Sequence, residues 1–391
     1  MNNLQKDVIT LIKSAITGEK YNLSGDQNIA EIYKVSKRHN IVPIVYYGAV
    51  NCGVDQSSAE MQKMFAETCT HIAYNEKQMW EISNLVNEFE KENIAYIPLK
   101  GTLLKGVYPK GEMRAMGDAD ILIKFEEYEK IVPIMQRLGY TFGHEYYHEL
   151  AWDKGNIHIE LHKGLVPEAN KDYYSYYGDG WQLAKLGENS KYYMSNEDHF
   201  IFNFTHFSKH YRSTGVGIKH VVDLWVYKNH FKSLNEEYIL TELKKLKLDV
   251  FYKYTMQTVA VWFDDAEPTE QTSLITKVIF NSGVFGTHET RVLADAVKST
   301  KNVGTAKKAK FKKVMNIIFL PYEPMTEKYP FLKKAPVLLP VMWCHRWFVA
   351  IFFKKDAIKS NSNDIKLMSA KNVDDYQASL NFVGLDFNYK E

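Results

Sequence analysis

The sequence contains few cysteines and almost no net charge. Its 391 residues include three cysteines, Cys52, Cys69 and Cys344, whose wide spacing fits neither a disulfide framework nor a paired metal-binding pattern. This cysteine usage favours a reducing compartment, and we therefore expect a cytoplasmic protein. The formal net charge of +2 does not suggest a protein that holds long nucleic acid through its overall charge.

Long apolar runs are also scarce. The N-terminal stretch MNNLQKDVITLIKSAITGEK has amphipathic helical spacing without a continuous apolar region, which is not typical of a signal peptide. The most apolar segment, residues 335–353, approaches the length needed to span a bilayer, but His345 and Arg346 lie in its middle and two prolines interrupt its first half. We expect a helix that is buried or faces a partner, with peripheral membrane contact as the alternative.

The length and composition are those of a globular protein with more than one region. Hydrophobic residues make up 45% of the chain and charged residues 25%. The length predicts about two or three domains. From the changes in pattern we expect a helical N-terminal part (1–92), a core that contains a sheet (93–195), a helical C-terminal subdomain (196–300) and a basic and apolar helical tail (301–391).

Periodicity predicts the secondary structure of the core. Residues 1–92 have helical spacing, and IVPIVYYGAV is interpreted as a continuation of the second helix. From residue 94 the chain predicts the order strand, helix, strand, helix, strand, strand, with one strand expected over YTFGHEYYHELAWDK and a turn at 154–156. This order indicates an α+β fold with a small mixed sheet, flanked by helical N-terminal and C-terminal parts.

Two aspartates, Asp118 and Asp120, lie one residue apart in the predicted strand GDADILI. Side chains alternate along a strand, so both carboxylates point to the same face. Two close negative charges are unfavourable unless a cation lies between them. Mg²⁺, which prefers oxygen ligands and substrate phosphates, is the expected ion, with Mn²⁺ as an alternative.

The surroundings of this pair indicate a phosphate site. The strand-to-helix turn upstream contains Lys100, Gly101 and Thr102, and the backbone of such a turn can hold a phosphate group. Downstream, IHIELH places His158, Glu160 and His162 on one face of a later strand. A third carboxylate beside the aspartates would complete a two-metal site that binds a triphosphate.

Further polar residues are candidates for binding substrate. Arg114 offers a planar donor fork for phosphate, whereas Lys105 is expected to face water. His206 and His210 share a helix face, with Lys209 beside them, and are candidates for substrate or phosphate contacts or for hydrogen-bonded packing. Zinc binding with Glu160 and His162 is a weaker alternative, because no glutamate lies between the two histidines as a metalloprotease helix requires.

These motifs together resemble a known group of enzymes. Gly101-Thr102, then Asp118-x-Asp120 before apolar residues, then Glu160 in an apolar strand, resemble the DNA polymerase beta-type nucleotidyltransferase superfamily. The larger set LKG…LL…Y…R…GDADILI, IELH and H…KH is similar to one bacterial branch, the uncharacterised nucleotidyltransferase family. The resemblance is strongest over residues 97–162, moderate over 197–223 and faint in the last ninety residues.

The resemblance implies a polymerase-beta-like core and a division of roles. It implies that Asp118, Asp120 and Glu160 bind the metal ions, and that Glu160 also acts as or assists the general base. Gly101 and Thr102 match the turn that holds the nucleotide phosphates, although threonine replaces the commoner serine or glycine. The gap between this turn and Asp118 is longer than is usual in the superfamily.

Three functions follow from this reading. The first is a Mg²⁺-dependent nucleotidyltransferase that moves a nucleoside monophosphate from an NTP to a hydroxyl or phosphate of a small-molecule, sugar or protein acceptor. The second is a phosphocholine-type transferase that uses the same aspartates on glycans. The third is a non-catalytic nucleotide-binding module. The expected location is cytoplasmic, with residues 335–353 allowing contact with the inner face of the membrane.

Overall fold

The computed structural model describes residues 1–25, 27–283, 286–353 and 355–386, with the backbone alone at 301–303, 306 and 355–357. These residues form two compact units. The first comprises Met1–Tyr211 and 215–283, and the second comprises Arg212–Thr214 and 286–386. The four regions expected from the sequence stay a prediction.

The first unit begins with four helices: α1 (Asn3–Thr17), α2 (Ile29–His39), α3 (Val42–Asn51) and α4 (Ala59–Lys91). The prediction that IVPIVYYGAV continues α2 is wrong. Asn40 adopts a left-handed conformation with φ of 53° and ends α2, and Pro43 lies in the first turn of α3. Proline is tolerated in a first turn because its missing N–H has no partner there.

A mixed sheet follows in the first unit. Its elements are β1 (Tyr96–Pro98), α5 (Lys100–Leu104), β2 (Asp118–Ile123), α6 (Tyr128–Arg137), β3 (Thr141–Tyr146), β4 (Glu149–Lys154) and β5 (Ile157–His162). The strand order is β1-β2-β5-β4-β3, with β2 and β5 parallel and the other pairs antiparallel. The predicted α+β class with a small mixed sheet is confirmed. The single strand expected over residues 140–154 is instead the hairpin β3–β4, because the chain turns at Tyr147, where φ is 51°.

The two faces of this sheet differ in chemistry. Alternate residues of β2 and β5 belong to a buried apolar core with side chains from α4 and α6. The residues of β2 and β5 in this core are Ala119, Ile121, Ile123, Ile157, Ile159 and Leu161. The intervening residues therefore point to the opposite face, which we call the polar face of the sheet. Packing on one face thus fixes which side chains are presented on the other.

Short elements and helices complete the first unit. They are α7 (Lys171–Tyr177), the hairpin β6 (Ala184–Leu186) and β7 (Tyr192–Met194), α8 (Asn196–Ser213), α9 (Ile218–His230), α10 (Glu236–Lys245), α11 (Asp249–Phe263) and α12 (Glu270–Ser282). Buried aromatic rings join α8 to α11, with Phe207 and Phe251 stacked at a centroid distance of 5.5 Å. This packing holds α8 rigidly, so its polar side chains are well positioned.

The second unit contains α13 (His288–Val303), α14 (Ala306–Ile318), α15 (Tyr322–Lys328), α16 (Leu339–Phe353), α17 (Lys355–Leu367) and α18 (Ala370–Phe382). Helix α16 forms most of the apolar segment noted in the sequence. The segment Pro336–Phe353 is long and apolar enough to cross a membrane, and none of it is buried in the structure. Of the two expectations for this helix, burial within the chain is therefore wrong, and a partner-facing helix stays a prediction.

Candidate active site

The candidate acids lie together on the polar face of the sheet. The parallel register of β2 and β5 places Asp118 opposite His158 and Asp120 opposite Glu160. His162 follows two residues after Glu160 and so points to the same face. The structure thus brings the two aspartates and Glu160, which are about forty residues apart in sequence, onto adjacent strands.

Asp120 is buried and bound by two partners. Its Oδ1 accepts hydrogen bonds from Lys100 Nζ at 2.6 Å and from His162 Nε2 at 2.8 Å. Burial opposes the negative charge, but the Lys100 ammonium and the His162 ring outweigh it and hold the pKa of Asp120 well below its usual range. Burial likewise opposes the charge of Lys100, and the carboxylates of Asp120 and Asp118 outweigh it and raise the pKa of that amine. The pair is therefore ionised at neutral pH.

Lys100 reaches Asp120 because of an unusual backbone geometry. Its φ of 43° is in the left-handed region, which non-glycine residues adopt rarely and which often marks a functional constraint. The N–H of the preceding Leu99 donates to the backbone oxygen of Asp120 at 3.0 Å. The turn after β1 is thereby tied to β2 beside the aspartates.

Glu160 has less compensation than Asp120. Its carboxylate lies 3.4 Å from His158 Nε2 and 3.7 Å from His162 Nε2. Burial and the negative charges of Asp118 and Glu149 raise the pKa of Glu160 to about 7. Glu160 is thus a carboxylate whose charged form would be stabilised by an additional positive charge.

The turn at Gly101 and Thr102 is partly explained by packing. A Cβ at position 101 would lie 2.7 Å from Met116 Sδ, so a larger residue there would displace that side chain. Helix α5 has five residues, too few to supply a strong helix dipole for a phosphate group. The predicted phosphate role of Gly101 and Thr102 stays a prediction.

Arg114 occupies a buried ion pair. Its Nε and Nη2 donate to the two carboxylate oxygens of Asp223 at 2.7 and 2.9 Å, and its Nη1 donates to the oxygen of Ala115. The Tyr108 hydroxyl also donates to Asp223, at 2.6 Å. The guanidinium group that was expected to bind phosphate therefore binds the Asp223 carboxylate instead. This ion pair joins the loop before β2 to α9. A phosphate contact for Arg114 stays a prediction.

His206 of α8 lines a cavity beside Lys100, and His210 lies next to His206. The rings of His206 and His210 are 4.3 Å apart. Burial, followed by the charges of Lys209 and Lys100, lowers the pKa of His210 to about 3, and burial with the neighbouring His210 ring lowers the pKa of His206. Both imidazoles are thus neutral at pH 7. The polar residues that line the cavity are Lys100, His148, Glu149, Tyr173, Thr205, His206 and Lys209.

His148 and Glu149 are site residues that the sequence analysis missed. His148 lies in the turn before β4, and Glu149 begins β4, opposite His162 in the antiparallel pair with β5. The signal that could have revealed them is a turn within YTFGHEYYHELAWDK, since a hairpin there would place residue 149 next to the IHIELH strand. Among the described residues, two groups have ligand atoms within 4.8 Å of one another and could hold a metal ion. They are Asp120, Glu160 and His162, and His148, Glu149 and His162.

Comparison with known proteins identifies the family. The model of the family described as "Uncharacterised nucleotidyltransferase" matches residues 25–264, more than half of the chain. The chain belongs to this family. The solution structure of the antibiotic-resistance factor ANT(2'')-Ia is similar over 46% of this chain and 95% of that one, with 14% identity and a TM-score of 0.31. No curated protein matches the chain.

Membership of the uncharacterised nucleotidyltransferase family confirms the predicted recognition. It implies a transferase that uses a nucleoside triphosphate donor and an acceptor. The matched residues include the whole five-stranded sheet, α8 and α9, and so contain every candidate site residue. The described part of the second unit after residue 285 lies outside the match.

Proposed function

We propose that this protein is a metal-dependent nucleotidyltransferase that moves a nucleoside monophosphate from an NTP to an acceptor, and that its sheet is a polymerase-beta-type core. The observation that carries the proposal is the β2–β5 register, which aligns Asp120 with Glu160 and places Asp118 on the same face. Three carboxylates on one face, next to a lysine, form a suitable surface for a triphosphate and its cations.

The residues present fit a divalent cation. Asp120, Glu160 and His162 offer ligand atoms within 4.8 Å, and Asp118 adds a partly exposed carboxylate on the same strand face. Oxygen ligands of this kind suit Mg²⁺. Mg²⁺ bound there would neutralise phosphate charge and lower the pKa of the attacking hydroxyl.

The chain's own residues would orient the reactants and move the proton. Lys100 lies against both Asp120 and the cavity, so its ammonium group can donate to phosphate oxygens. The acceptor oxygen forms a bond to the α-phosphorus, the bond from that phosphorus to the bridging oxygen breaks, and pyrophosphate leaves. Glu160, the least compensated acid, takes the proton of the acceptor hydroxyl. Positioning and charge compensation then account for most of the rate enhancement.

We place the acceptor at the mouth of the cavity beside Lys100, because the cavity itself has only about 20 Å³ of space for water-sized groups. Neutral imidazoles such as His206 can both donate and accept hydrogen bonds, which suits a hydroxylated molecule. Lys209 and Glu149 add one donor and one acceptor of opposite charge. These groups favour a sugar or another small polar acceptor over a long nucleic acid, which would need an extended basic surface.

Thermal unfolding of the purified protein with each NTP and with CDP-choline tests this function. Each ligand is added with Mg²⁺, with Mn²⁺ and with a chelator, because a ligand that binds the native state raises the melting temperature. The variants are Asp120→Asn and, as a matched control, Asp265→Asn, whose side chain is 99% exposed. Circular dichroism establishes that both variants fold.

The outcomes separate the candidate functions. We expect a metal-dependent shift with one NTP that Asp120→Asn abolishes and Asp265→Asn retains. A shift with CDP-choline alone would assign the site to phosphocholine-type transfer. An NTP shift that needs no metal and survives in Asp120→Asn would favour a binding module and contradict the proposal, as would the absence of a shift with every nucleotide.

A further inference from the structure

Helix α16 presents a continuous apolar surface to solvent. Val341, Cys344, Phe348, Ile351 and Phe352 are exposed, with Phe348 57% and Phe352 61% accessible. Their spacing of three, four, three and one residues places them along one side of the helix. We call these five residues the apolar face of α16. Exposed apolar surfaces of this kind mark interaction sites in soluble proteins.

The polar side chains of α16 point towards α14 instead. Arg346 donates from its guanidinium to the backbone oxygen of Ile317. Trp343 Nε1 donates to Leu320 and Trp347 Nε1 donates to Ile318, each at 2.9 Å. These acceptors lie at or just beyond the C-terminal end of α14, where helix carbonyls lack internal partners and a cation is favourable.

This arrangement keeps the charge of the segment away from the apolar face. Arg346 is the only residue of the apolar segment that is charged at every physiological pH, and it is engaged by α14. His345 is exposed, and its Nδ1 lies 3.3 Å from the Tyr329 hydroxyl. The apolar face itself therefore carries no charged side chain.

Lysines flank the apolar segment in the sequence and occur on α14, the helix that α16 contacts. Lys333 and Lys334 are exposed and precede the segment, and Lys354 and Lys355 follow it in the sequence. On α14, the exposed lysines are Lys307, Lys308 and Lys312, and Phe311 between them is 66% accessible. Aromatic and apolar groups next to lysines are the composition of helices that bind the surface of an anionic bilayer.

We propose that the apolar face of α16, together with the lysines of α14, docks onto a bilayer surface that contains anionic lipids. Trp343, Arg346 and Trp347 hold one side of α16 against α14, so only the apolar face is free to enter lipid, as in a helix that lies in the membrane interface. A second copy of the chain is a poorer occupant, because it would bring another set of lysines against these. The proposal uses only the second unit and does not depend on the proposed function.

Vesicle co-sedimentation of the full chain tests this docking. The vesicles contain phosphatidylcholine alone or phosphatidylcholine with phosphatidylserine. We expect binding to the mixed vesicles only, weakened by salt. Phe348→Ser/Phe352→Ser should weaken it at least roughly tenfold, because two large apolar side chains no longer enter the interface. Lys307→Gln/Lys308→Gln/Lys312→Gln should weaken it by roughly fivefold per lysine.

The chain supplies matched controls for this experiment. Phe65→Ser/Trp80→Ser removes two exposed aromatic residues of α4 and should leave vesicle binding unchanged. A polarity-sensitive fluorophore attached at Cys344, with the other cysteines changed to serine, should shift to shorter wavelength on vesicles. The same fluorophore at Cys69, an exposed cysteine of α4, should not shift.

Three results would overturn the proposal. One is absence of binding to mixed vesicles, and another is binding that Phe348→Ser/Phe352→Ser leaves unchanged. The third is a stable dimer in analytical ultracentrifugation that this same variant dissociates, without vesicle binding, which would assign the apolar face to a second copy.

Discussion

Each of the two units holds side chains in an energetically unfavourable environment, but the kind of side chain differs. The first unit buries charged side chains, such as Lys100 with Asp120 and Arg114 with Asp223, although removal of charges from water is unfavourable. The second unit exposes the apolar face of α16, although apolar surface is better buried. Neither arrangement is the one that maximises stability. We propose that each marks a place where the molecule meets something else, a phosphate-bearing ligand in the first unit and a lipid surface in the second.

The largest expected effect concerns the buried pair of Arg114 and Asp223. Asp223→Asn should lower the free energy of unfolding by about 3–5 kcal/mol, because the Arg114 charge then stays buried without its counterion. Urea denaturation of the full chain measures the change. Glu31→Gln is the control, since the exposed pair of Glu31 and Lys34 should contribute about 0–1 kcal/mol.

A double variant separates charge from packing at this pair. Arg114→Met/Asp223→Leu removes both charges and should recover much of the stability that Asp223→Asn loses. If Asp223→Asn unfolds at nearly the same urea concentration as the wild type, the pair is not a buried structural link, and Arg114 becomes free for the phosphate role that the sequence suggested.

The next effect concerns turnover. Glu160→Gln should reduce the rate with the nucleotide that gives the metal-dependent shift by about 10²–10³-fold, similar to the loss of one stabilising group in other active sites. The nucleotide-induced rise in melting temperature should persist, because Asp118 and Asp120 are retained. Wild-type turnover in Glu160→Gln, with Asp265→Asn also active, would remove Glu160 from the proposed chemistry.

The sequence was informative where the two-residue alternation along a strand decides which side chains are buried. The alternation in GDADILI and IHIELH predicts which side chains share a face. In the structure, the apolar residues that alternate with the acids and histidines lie in the apolar core. The resemblance to nucleotidyltransferases rested on the same residues, and the family match confirms it. The polar face of each of these two strands could thus be predicted, because burial of one face of a strand specifies the other.

Long-range contacts were not accessible in this way. Arg114 and Asp223 are 109 residues apart, and nothing near either residue indicates the other. The hairpin at Tyr147 was missed because an αL turn at tyrosine has no common sequence signal. Helix α16 was expected to be buried or to face a partner, and its apolar composition alone could not decide between these positions.

Lys105 is a single residue whose burial could not be predicted from the sequence around it. It was expected to face water and is instead buried, with its ammonium group donating to Asn75 of α4. The reason is that α5 ends at Leu104, and a 3₁₀ turn, Lys105–Val107, redirects the side chain inward. Burial, followed by the positive charge of Arg114, lowers the pKa of Lys105 to about 8, because both disfavour its charged form.

This shift gives a smaller, pH-dependent prediction. The folded-state pKa is below the ordinary lysine value of about 10.4, so the unfolded chain binds more protons between pH 8 and 10.4, and the contribution of Lys105 to stability rises with pH there. Lys105→Met should therefore gain stability relative to the wild type at pH 7, on the order of 1–3 kcal/mol before the loss of the bond to Asn75. Urea denaturation should show the difference shrinking towards pH 10. A difference that is constant from pH 7 to pH 10 would mean that Lys105 titrates as an ordinary lysine.

The smallest expected effect lies on the apolar face of α16. Phe348→Ser/Phe352→Ser should change the free energy of unfolding in solution by no more than about 0.5 kcal/mol per residue, because both rings already contact water in the folded state. Leu332→Ala in the same unit should cost about 2–5 kcal/mol, since Leu332 is fully buried. Thermal and urea unfolding of these two variants measures the contrast directly. A large loss in the phenylalanine variant would mean that the apolar face is covered within the folded protein, whereas a negligible loss combined with lost vesicle binding would show that these side chains serve docking and not folding.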